Sequence, residues 1–500
     1  MTEPERASPV LTDIAAALAG ARVAIVGDVM LDRFVYGDID RISPEAPVPV
    51  LKLHHRREML GGAGNVAANA ASLGATTLLA ALVGADAAGD RIGDLVAALP
   101  GATTRLGRRA AGPTTVKTRI VARQQQMLRL DEEEIAPPTP AETEALLTGV
   151  GAVLPGFDVL LLSDYAKGVL AGDMAPRLIA AAHGAGKPVI VDPKGHDFGR
   201  YAGADLVTPN LGELRQASGL PCDGDEEVVT AARSLIGRHR IGAIIVTRSE
   251  HGMSVVTADG AEHLPAQARE VFDVSGAGDT VAALLACALA RGVPLTVAAR
   301  LANVAAGIVV GKLGTAQVTP GELALTLHQQ EAGDPVAAKI ADRPLAAART
   351  AQWREGGLVV GFTNGCFDLL HPGHLSLLRQ ARAACDRLVV GINDDTSVRR
   401  LKGPQRPIQP LQARAAVLAA LQVVDLVVPF AEDTPLDLIQ ALRPALLVKG
   451  ADYRVDQVVG ADFVQSHGGR VLLADLQAGF STTSTVARMV ASGGNGSPGS

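Results

Sequence analysis

At 500 residues the chain is too long for one ordinary hydrophobic core, which calls for two or three domains. Its 48% hydrophobic and 20% charged residues describe a globular protein, and a formal net charge of −6 argues against a nucleic-acid partner, which calls for a basic surface. The four cysteines (Cys222, Cys287, Cys366, Cys385) lack CxxC spacing, which excludes a zinc knuckle and a disulfide framework and suits a reducing, cytoplasmic setting. The first residues carry Glu3, Glu5 and Arg6 and resemble no signal peptide, and no apolar run approaches the roughly 18 residues of a membrane span.

In chain order, residues 22–27 form a short apolar run that ends in Gly27 and Asp28 and predicts a buried strand. Open α/β sheets place ligands at such carboxyl ends, so Asp28 and Asp32 are candidate acceptors for sugar hydroxyls; a turn cap is the alternative for Asp32. Residues 47–53 carry two prolines and suit an edge strand. Gly61-Gly62-Ala63-Gly64-Asn65 then precedes a helix of small residues and offers amides to a polar ligand. Residues 114–121 alternate as a half-exposed strand, which with 47–53 predicts a small lid. Lys117, Arg119, Arg123 and Arg129 make that lid basic, as a phosphorylated substrate requires, although a solvated charged face reads the same way. Residues 131–138 suggest an exposed loop.

From residue 157 the pattern becomes regular βα, with strands expected at 158–162, 188–191, 205–208 and 243–247 in a parallel sheet covered on both faces. Polar clusters at the strand ends, including residues 163–168, 192–194, 208–213 and 247–248, then crowd one edge. Asn210 and Glu213 are placed to hold a hydrated Mg²⁺ bridging nucleotide phosphates. At 273–280, two glycines around Ala277 are followed by Asp279 and a run of small residues that predicts a buried helix. Free amides and the dipole at that helix start favour an anion, so Gly276, Ala277 and Gly278 form a candidate anion hole. Asp279 beside it is a candidate base for phosphoryl transfer to a hydroxyl; an N-cap after a glycine turn is the bland alternative.

Gly61-Gly62-Ala63-Gly64-Asn65, Asn210-x-x-Glu213 and Asp273-x-x-Gly276-Ala277-Gly278-Asp279-Thr280, in that order, resemble the ribokinase-like (PfkB) sugar kinases over residues 15–325. The resemblance implies an α/β sandwich with a β lid, ATP and Mg²⁺, with Asp279 as base. It also implies that Asp28, Gly61, Gly62 and Asn65 hold the sugar and that Thr247, Gly252 and Asn303 flank the nucleotide. A homodimer paired through the lid is expected on the same ground.

Residues 326–354 hold no clear strand and are expected to be a linker with a helix. Leu358 to Phe362 then predicts a strand, followed by a polar turn and a helix whose first turn takes Pro372. His371 and His374, three residues apart, face one side near the helix N-terminus. They suit stabilisation of charge on a triphosphate better than a metal, for which Asp368 is the only further ligand nearby. Gly365-x-Phe367-Asp368-x-x-His371-x-Gly373-His374 resembles the HxGH nucleotidyltransferases over residues 355–491, a Rossmann-like domain. That resemblance extends to Ser481, Thr482 and Thr483 as phosphate ligands, with Phe480 where isoleucine is usual, and to Lys402 and Lys449 as cationic partners, with Arg406 a weaker one. Phe367 and Gly373 fall on the nucleotide site by the same match. Residues 492–500 are Gly/Ser-rich and are expected to be disordered.

A sugar kinase followed by a nucleotidyltransferase resembles the bifunctional heptose enzymes of bacterial lipopolysaccharide-core synthesis. The resemblance implies phosphorylation of D-glycero-β-D-manno-heptose 7-phosphate at O1 and adenylyl transfer to heptose 1-phosphate. A separate 7-phosphatase is then needed between the steps, because the chain carries no DxD-type strand end or Cys-x5-Arg loop to supply one. The alternatives are another sugar kinase fused to a cytidylyltransferase, or one domain serving as an inactive nucleotide sensor.

Overall fold

A computed structural model describes residues 17–475 except 124, 268–270, 272, 313 and 452. The chain divides into two compact units, Met1–Leu323 and Ala324–Ser500.

The first unit is built on a nine-stranded sheet in the order Ala261–Leu264, Met253–Thr257, Ala243–Thr247, Leu206–Val207, Val189–Asp192, Val159–Ser163, Arg22–Gly27, Thr76–Val83 and Ala102–Arg108. The first two strands are antiparallel additions and the rest run parallel. The parallel strands at the centre are apolar on both faces, as burial between helix layers demands. Their register sets Gly27 beside Ser163 and Ser163 beside Asp192, while Asn210 bridges Thr247. The four strands expected from residue 157 onward are all present, and their polar ends share one edge as expected.

The lid is larger than its sequence suggests. It has four strands in the order Pro49–Gly62, Val29–Ile42, Val116–Ala122, Gln125–Glu132. Asp32 therefore lies within a strand, paired with Met59 and Lys117, and is no turn cap. Residues 131 and 132, expected in a loop, end the fourth strand. That strand is exposed along its whole length, so no burial alternation marks it in the sequence.

The second unit holds a five-stranded parallel sheet in the order Leu426–Phe430, Arg387–Asn393, Val360–Gly365, Leu446–Gly450, Arg470–Ala474. Residues 326–354, expected to be a linker, carry the helix Arg343–Glu355, and its Ala346 is fully buried in this unit's core with Ala341. The backbone of Ala341 donates to Val427 O at 3.0 Å. The segment misleads because the fully buried positions of its helix are Ala346 and Thr350, small residues that carry little hydropathic contrast against their neighbours.

This packing predicts how the chain tolerates cutting. A fragment beginning near Ala324 should melt cooperatively, whereas one beginning at Gly357 loses Ala341, Ala346 and the Arg343–Glu355 helix and should lack a sharp transition by circular dichroism.

Candidate active sites

In the first unit, helix Ala277–Ala290 starts after Gly276, whose φ of +80° is left-handed and favours glycine. A Cβ on Gly276 would also lie 2.6 Å from Asn65 Nδ2, so the glycine leaves room for the amide that approaches the base. Nearly the whole helix is buried, as its run of alanine, leucine and valine requires. Asp279, in the first turn, is 2% exposed.

Both oxygens of Asp279 are engaged. Asn65 Nδ2 donates to Oδ2 at 2.8 Å and the Tyr165 hydroxyl donates to Oδ1 at 2.7 Å. The Asn65 amide is itself oriented: Thr280 Oγ1 donates to Asn69 Oδ1 at 3.0 Å, and Asn69 Nδ2 donates to Asn65 Oδ1 at 3.2 Å. This relay leaves the base's own helix at Thr280, crosses helix Ala63–Ser72, and returns to the base. Burial raises the Asp279 carboxyl to about 6; the Tyr165 and Asn65 hydrogen bonds oppose the rise, Asp32 adds to it and Lys117 opposes it. A carboxyl so placed has the chemistry a general base needs near neutrality.

Asp28 and Asp32 have different surroundings. Asp28 spends both oxygens on backbone amides, accepting from Tyr165 N at 2.9 Å, Lys167 N at 2.8 Å and Val169 N at 2.9 Å. The structure therefore turns Asp28 to the loop at residues 165–169. Asp32, 3% exposed, accepts from Arg119 Nη1 at 2.5 Å, and its Oδ2 lies where a side chain on Gly61 would collide, at 2.5 Å. Gly62, at φ +57°, leaves no room for a Cβ against Asp28 O. Lys117 is half-buried, and burial followed by the charge of Lys167 holds its ammonium below the ordinary range. Arg129 instead pairs with Asp131 in the exposed fourth strand.

Asn210 caps helix Leu211–Ser218: its Oδ1 accepts from Glu213 N at 2.9 Å, and Glu213 Oε2 accepts from Asn210 N at 3.0 Å. The other Glu213 oxygen pairs with Lys194 at 2.8 Å. Asp192 is pushed well above the ordinary carboxyl range by burial and then by the charges of Asp279 and Glu213. The charges of Asp279 and Glu213 thus set a negative potential around Asp192, a setting that suits a hydrated cation. Among the described residues no group of three acidic, histidine or cysteine side chains closes tightly enough to grip a bare metal ion. Thr247 donates its backbone N–H to Pro209 O, and Asn303 Nδ2 donates to Pro265 O at 2.7 Å. Gly252, at φ +79°, has Leu264 O 2.0 Å from where a Cβ would sit, so it is a glycine for backbone reasons.

In the second unit, His371 is the N-cap of helix Pro372–Ala383 and Gly373 lies in its first turn. The rings of His371 and His374 stack at 3.8 Å, and the Phe367 ring, 6% exposed, backs His374 at 5.2 Å. Phe367 faces the core, so it supports His374 instead of opening to a ligand. Its φ of +44° is strained for a bulky residue. Burial and then His371 lower His374 to about 4, so it is neutral at ordinary pH. The Nδ1 atoms of both histidines and Oδ1 of Asn364 are buried without a protein partner. Such a cluster of unmet polar atoms suits a polar ligand.

Asp368 is 3% exposed and accepts from Ile408 N at 2.7 Å, Gln409 N at 3.2 Å and the Arg406 guanidinium. Arg414 has no exposed side-chain surface and ties the site together. It donates to Cys366 O at 2.6 Å, Asn393 O at 2.9 Å and Gln409 O at 3.0 Å, and pairs with Asp395 at 2.7 Å. Lys449 Nζ donates to Asn364 O at 3.3 Å, and Lys402 ends helix Asp395–Lys402, exposed and close enough for its charge to oppose the rise that burial imposes on the Cys366 thiol. Ser481, Thr482 and Thr483 lie outside the described residues. Sequence reasoning missed Tyr165, Asn69 and Arg414 as site builders. For Tyr165, the signal was its place at a strand end on the shared edge.

Residues 21–321 match the pfkB family carbohydrate kinase, and residues 362–476 match the cytidylyltransferase-like family. The bifunctional protein HldE of Rhodospirillum rubrum is 56% identical over 96% of this chain and 97% of its own length. The HldE proteins of Paramagnetospirillum magneticum and Gluconacetobacter diazotrophicus are 55% and 53% identical over 94% of this chain, and 97% and 98% of their own lengths. Escherichia coli phosphofructokinase-2, solved in complex with potassium, shares the fold of the first unit with a TM-score of 0.53, at 20% identity over 62% of this chain and 99% of that one. The chain belongs to the family of bifunctional HldE proteins.

Two substitutions probe these sites. Asp279→Asn should lower kinase turnover by about 10²–10⁴ while leaving nucleotidyl transfer within about twofold; the wild-type kinase rate should fall as pH drops through about 6, since protonation disables the base. Arg414→Leu leaves a carboxylate and three carbonyls unpaired and should destabilise the second unit by about 3–5 kcal/mol in urea titrations.

Proposed function

We propose that this member of the bifunctional HldE family makes an ADP-activated heptose in two separated steps. In the first unit, O1 of D-glycero-β-D-manno-heptose 7-phosphate attacks the γ-phosphorus of ATP. The O1–P bond forms, the bond to the β-phosphate oxygen breaks, ADP leaves, and the O1 proton passes to Asp279. The carboxylate held by Tyr165 and Asn65 carries this reading, because a buried base with a value near 6 is ionised yet basic enough to take that proton. Amides of Gly276, Ala277 and Gly278 at the helix start face charge on the transferring group. Asp32, with Arg119, takes over the sugar-contacting role expected of Asp28, and Lys117 faces the 7-phosphate. Asn210 and Glu213 would hold Mg²⁺ through water, and the ion would offset charge on the nucleotide phosphates.

In the second unit, a phosphate oxygen of heptose 1-phosphate attacks the α-phosphorus of ATP and pyrophosphate leaves. Neutral His371 and His374 donate hydrogen bonds to the α-phosphate, and Lys402 and Lys449 offset the triphosphate charge. Ser481, Thr482 and Thr483 are proposed to hold the outer phosphates. ATP rather than CTP, the heptose, the cytoplasmic setting and a homodimer paired through the lid all rest on family kinship. The exposed Met127, Leu128 and Leu130 of the fourth lid strand support the pairing, being apolar residues on a strand edge open to a partner. The proposed domains are a kinase at 1–325 and an adenylyltransferase at 355–491, the latter completed by the preceding helix.

The first step leaves a phosphate at O7 that the product of the second lacks, so a separate 7-phosphatase acts between them. Purified protein given heptose 7-phosphate, ATP and Mg²⁺ should accumulate the 1,7-bisphosphate and stop. Adding a 7-phosphatase should yield ADP-heptose by mass spectrometry. ADP-heptose formed without that addition sinks the two-enzyme scheme, and formation of CDP-heptose when CTP replaces ATP in the second step sinks the choice of nucleotide.

A further inference from the structure

Residues 164–169 close over the kinase base, and no role assigned above accounts for how firmly they are held. Asp28 grips this loop through three amides, at residues 165, 167 and 169. Asp164 grips it from the other side: its Oδ1 accepts from Ala166 N at 2.7 Å and its Oδ2 accepts from the Tyr201 hydroxyl at 2.7 Å. Ala166 sits at φ +54°, where a side chain is strained, and Gly168 at φ +109° would set a Cβ 2.1 Å from Ala136 O. Two buried carboxylates and a strained turn are thus spent on one short loop, and strain of this kind persists where the surroundings over-determine it. What the loop delivers is the Tyr165 hydroxyl, 2.7 Å from Asp279 Oδ1.

We propose that Tyr165 is a positioning residue of the kinase reaction, which aims the Asp279 carboxylate and sets its strength as a base, and that Asp28 is the anchor of this device. The inference rests on the kinase reading above. Tyr165 acts only as a donor here, because burial and the charges of Asp279, Asp192 and Asp32 push its phenol well above its ordinary value. A donor to the ionised form favours that form, so the hydroxyl lowers the proton affinity of Asp279. The groups that face Asp279 are Tyr165, Asn65, Asp32, Lys117 and Asp192. Asp32 and Asp192 disfavour its ionised form, while Tyr165, Asn65 and Lys117 favour it. Asn65 is packed against Gly276 and tied to Asn69. Tyr165 is therefore the contact that can be removed with least disturbance, since phenylalanine keeps the ring and loses only the donor.

The test is the pH profile of kinase kcat/KM for the full chain, with ATP, Mg²⁺ and heptose 7-phosphate. Titration of the substrate phosphate is common to all variants and cancels in their ratio. In Tyr165→Phe the acid limb should move to higher pH by about one unit, the size expected for one hydrogen bond to a charged group. Adenylyl transfer by the second unit should be unchanged. Replacing Tyr165 with a ring-fluorinated tyrosine, whose more acidic phenol donates more strongly, should move the limb the opposite way; this variant keeps the shape of the site if phenylalanine impairs folding. Asp28→Asn, which turns an amide N–H toward the loop amides, should move the limb in the direction of Tyr165→Phe. A limb that stays in place in both Tyr165 variants overturns the proposal, including when kcat drops uniformly, because that outcome marks a structural role. Failure of the wild-type chain to phosphorylate the sugar instead overturns the kinase reading.

Discussion

A carboxylate buried at the N-terminal end of an apolar helix is the constraint on which the first unit turns. Burying a charge is costly unless hydrogen bonds and neighbouring charges compensate it. Here the compensation comes from three separate parts of the fold: the small-residue helix that carries Asn65, the strand-end loop that carries Tyr165, and the lid strand that carries Lys117. None of these can shift without leaving Asp279 less well paired. The Asp279 environment therefore couples lid, sheet edge and helix, and the chemistry needs the same coupling, since a base must be in place when the substrate hydroxyl arrives.

The second unit meets a comparable demand with the opposite charge. Its buried group is the Arg414 guanidinium, which gathers Asp395 and the carbonyls of Cys366, Asn393 and Gln409 from three separated stretches of chain. Arginine suits this task because its donors are rigidly arranged and it stays protonated when buried. Asp368, held by Arg406 and two backbone amides, locks the turn that leads to His371. The two histidines are left neutral, with ring nitrogens unmet by protein. Both units thus place their reactive groups where parallel strands end and a helix begins, so that backbone amides and the dipole add to the side chains.

The glycines show how far local sequence can be read. Those at 276 and 278 announced a helix start that tolerates an anion, and that start is where they lie. Gly252, matched to a nucleotide-flanking position, is instead required by a backbone carbonyl packed against it. The same residue type opens a helix in one place and fits a crowded turn in another, and only the neighbouring chain distinguishes them. Asp28 and Asp32 make the same point. Four residues apart in sequence, they diverge because one ends a strand facing a loop and the other lies inside the lid.

The two parallel sheets, the lid, the helix that begins at residue 277 and the turn that ends in His374 were legible from residue order, since strand runs, glycine turns and paired histidines are local patterns with local causes. The places of Asp279, His371 and His374 at helix starts were legible for the same reason. The helix expected within the linker is present, but its packing into the second unit's core was not legible, because the small residues Ala346 and Thr350 that it buries look like those of a surface helix. Tyr165, Asn69 and Arg414 stayed hidden because their roles depend on partners far away in sequence: Tyr165 lies 114 residues from Asp279, and Arg414 lies 48 from Cys366. The sequence by itself determined which residues could do chemistry and which strands would bring them to an edge. Only the tertiary structure decided which carboxylate lies in the lid beside Arg119 and which is spent on the backbone of a distant loop, because hydrogen-bond partners are allotted by packing in three dimensions and not by spacing along the chain.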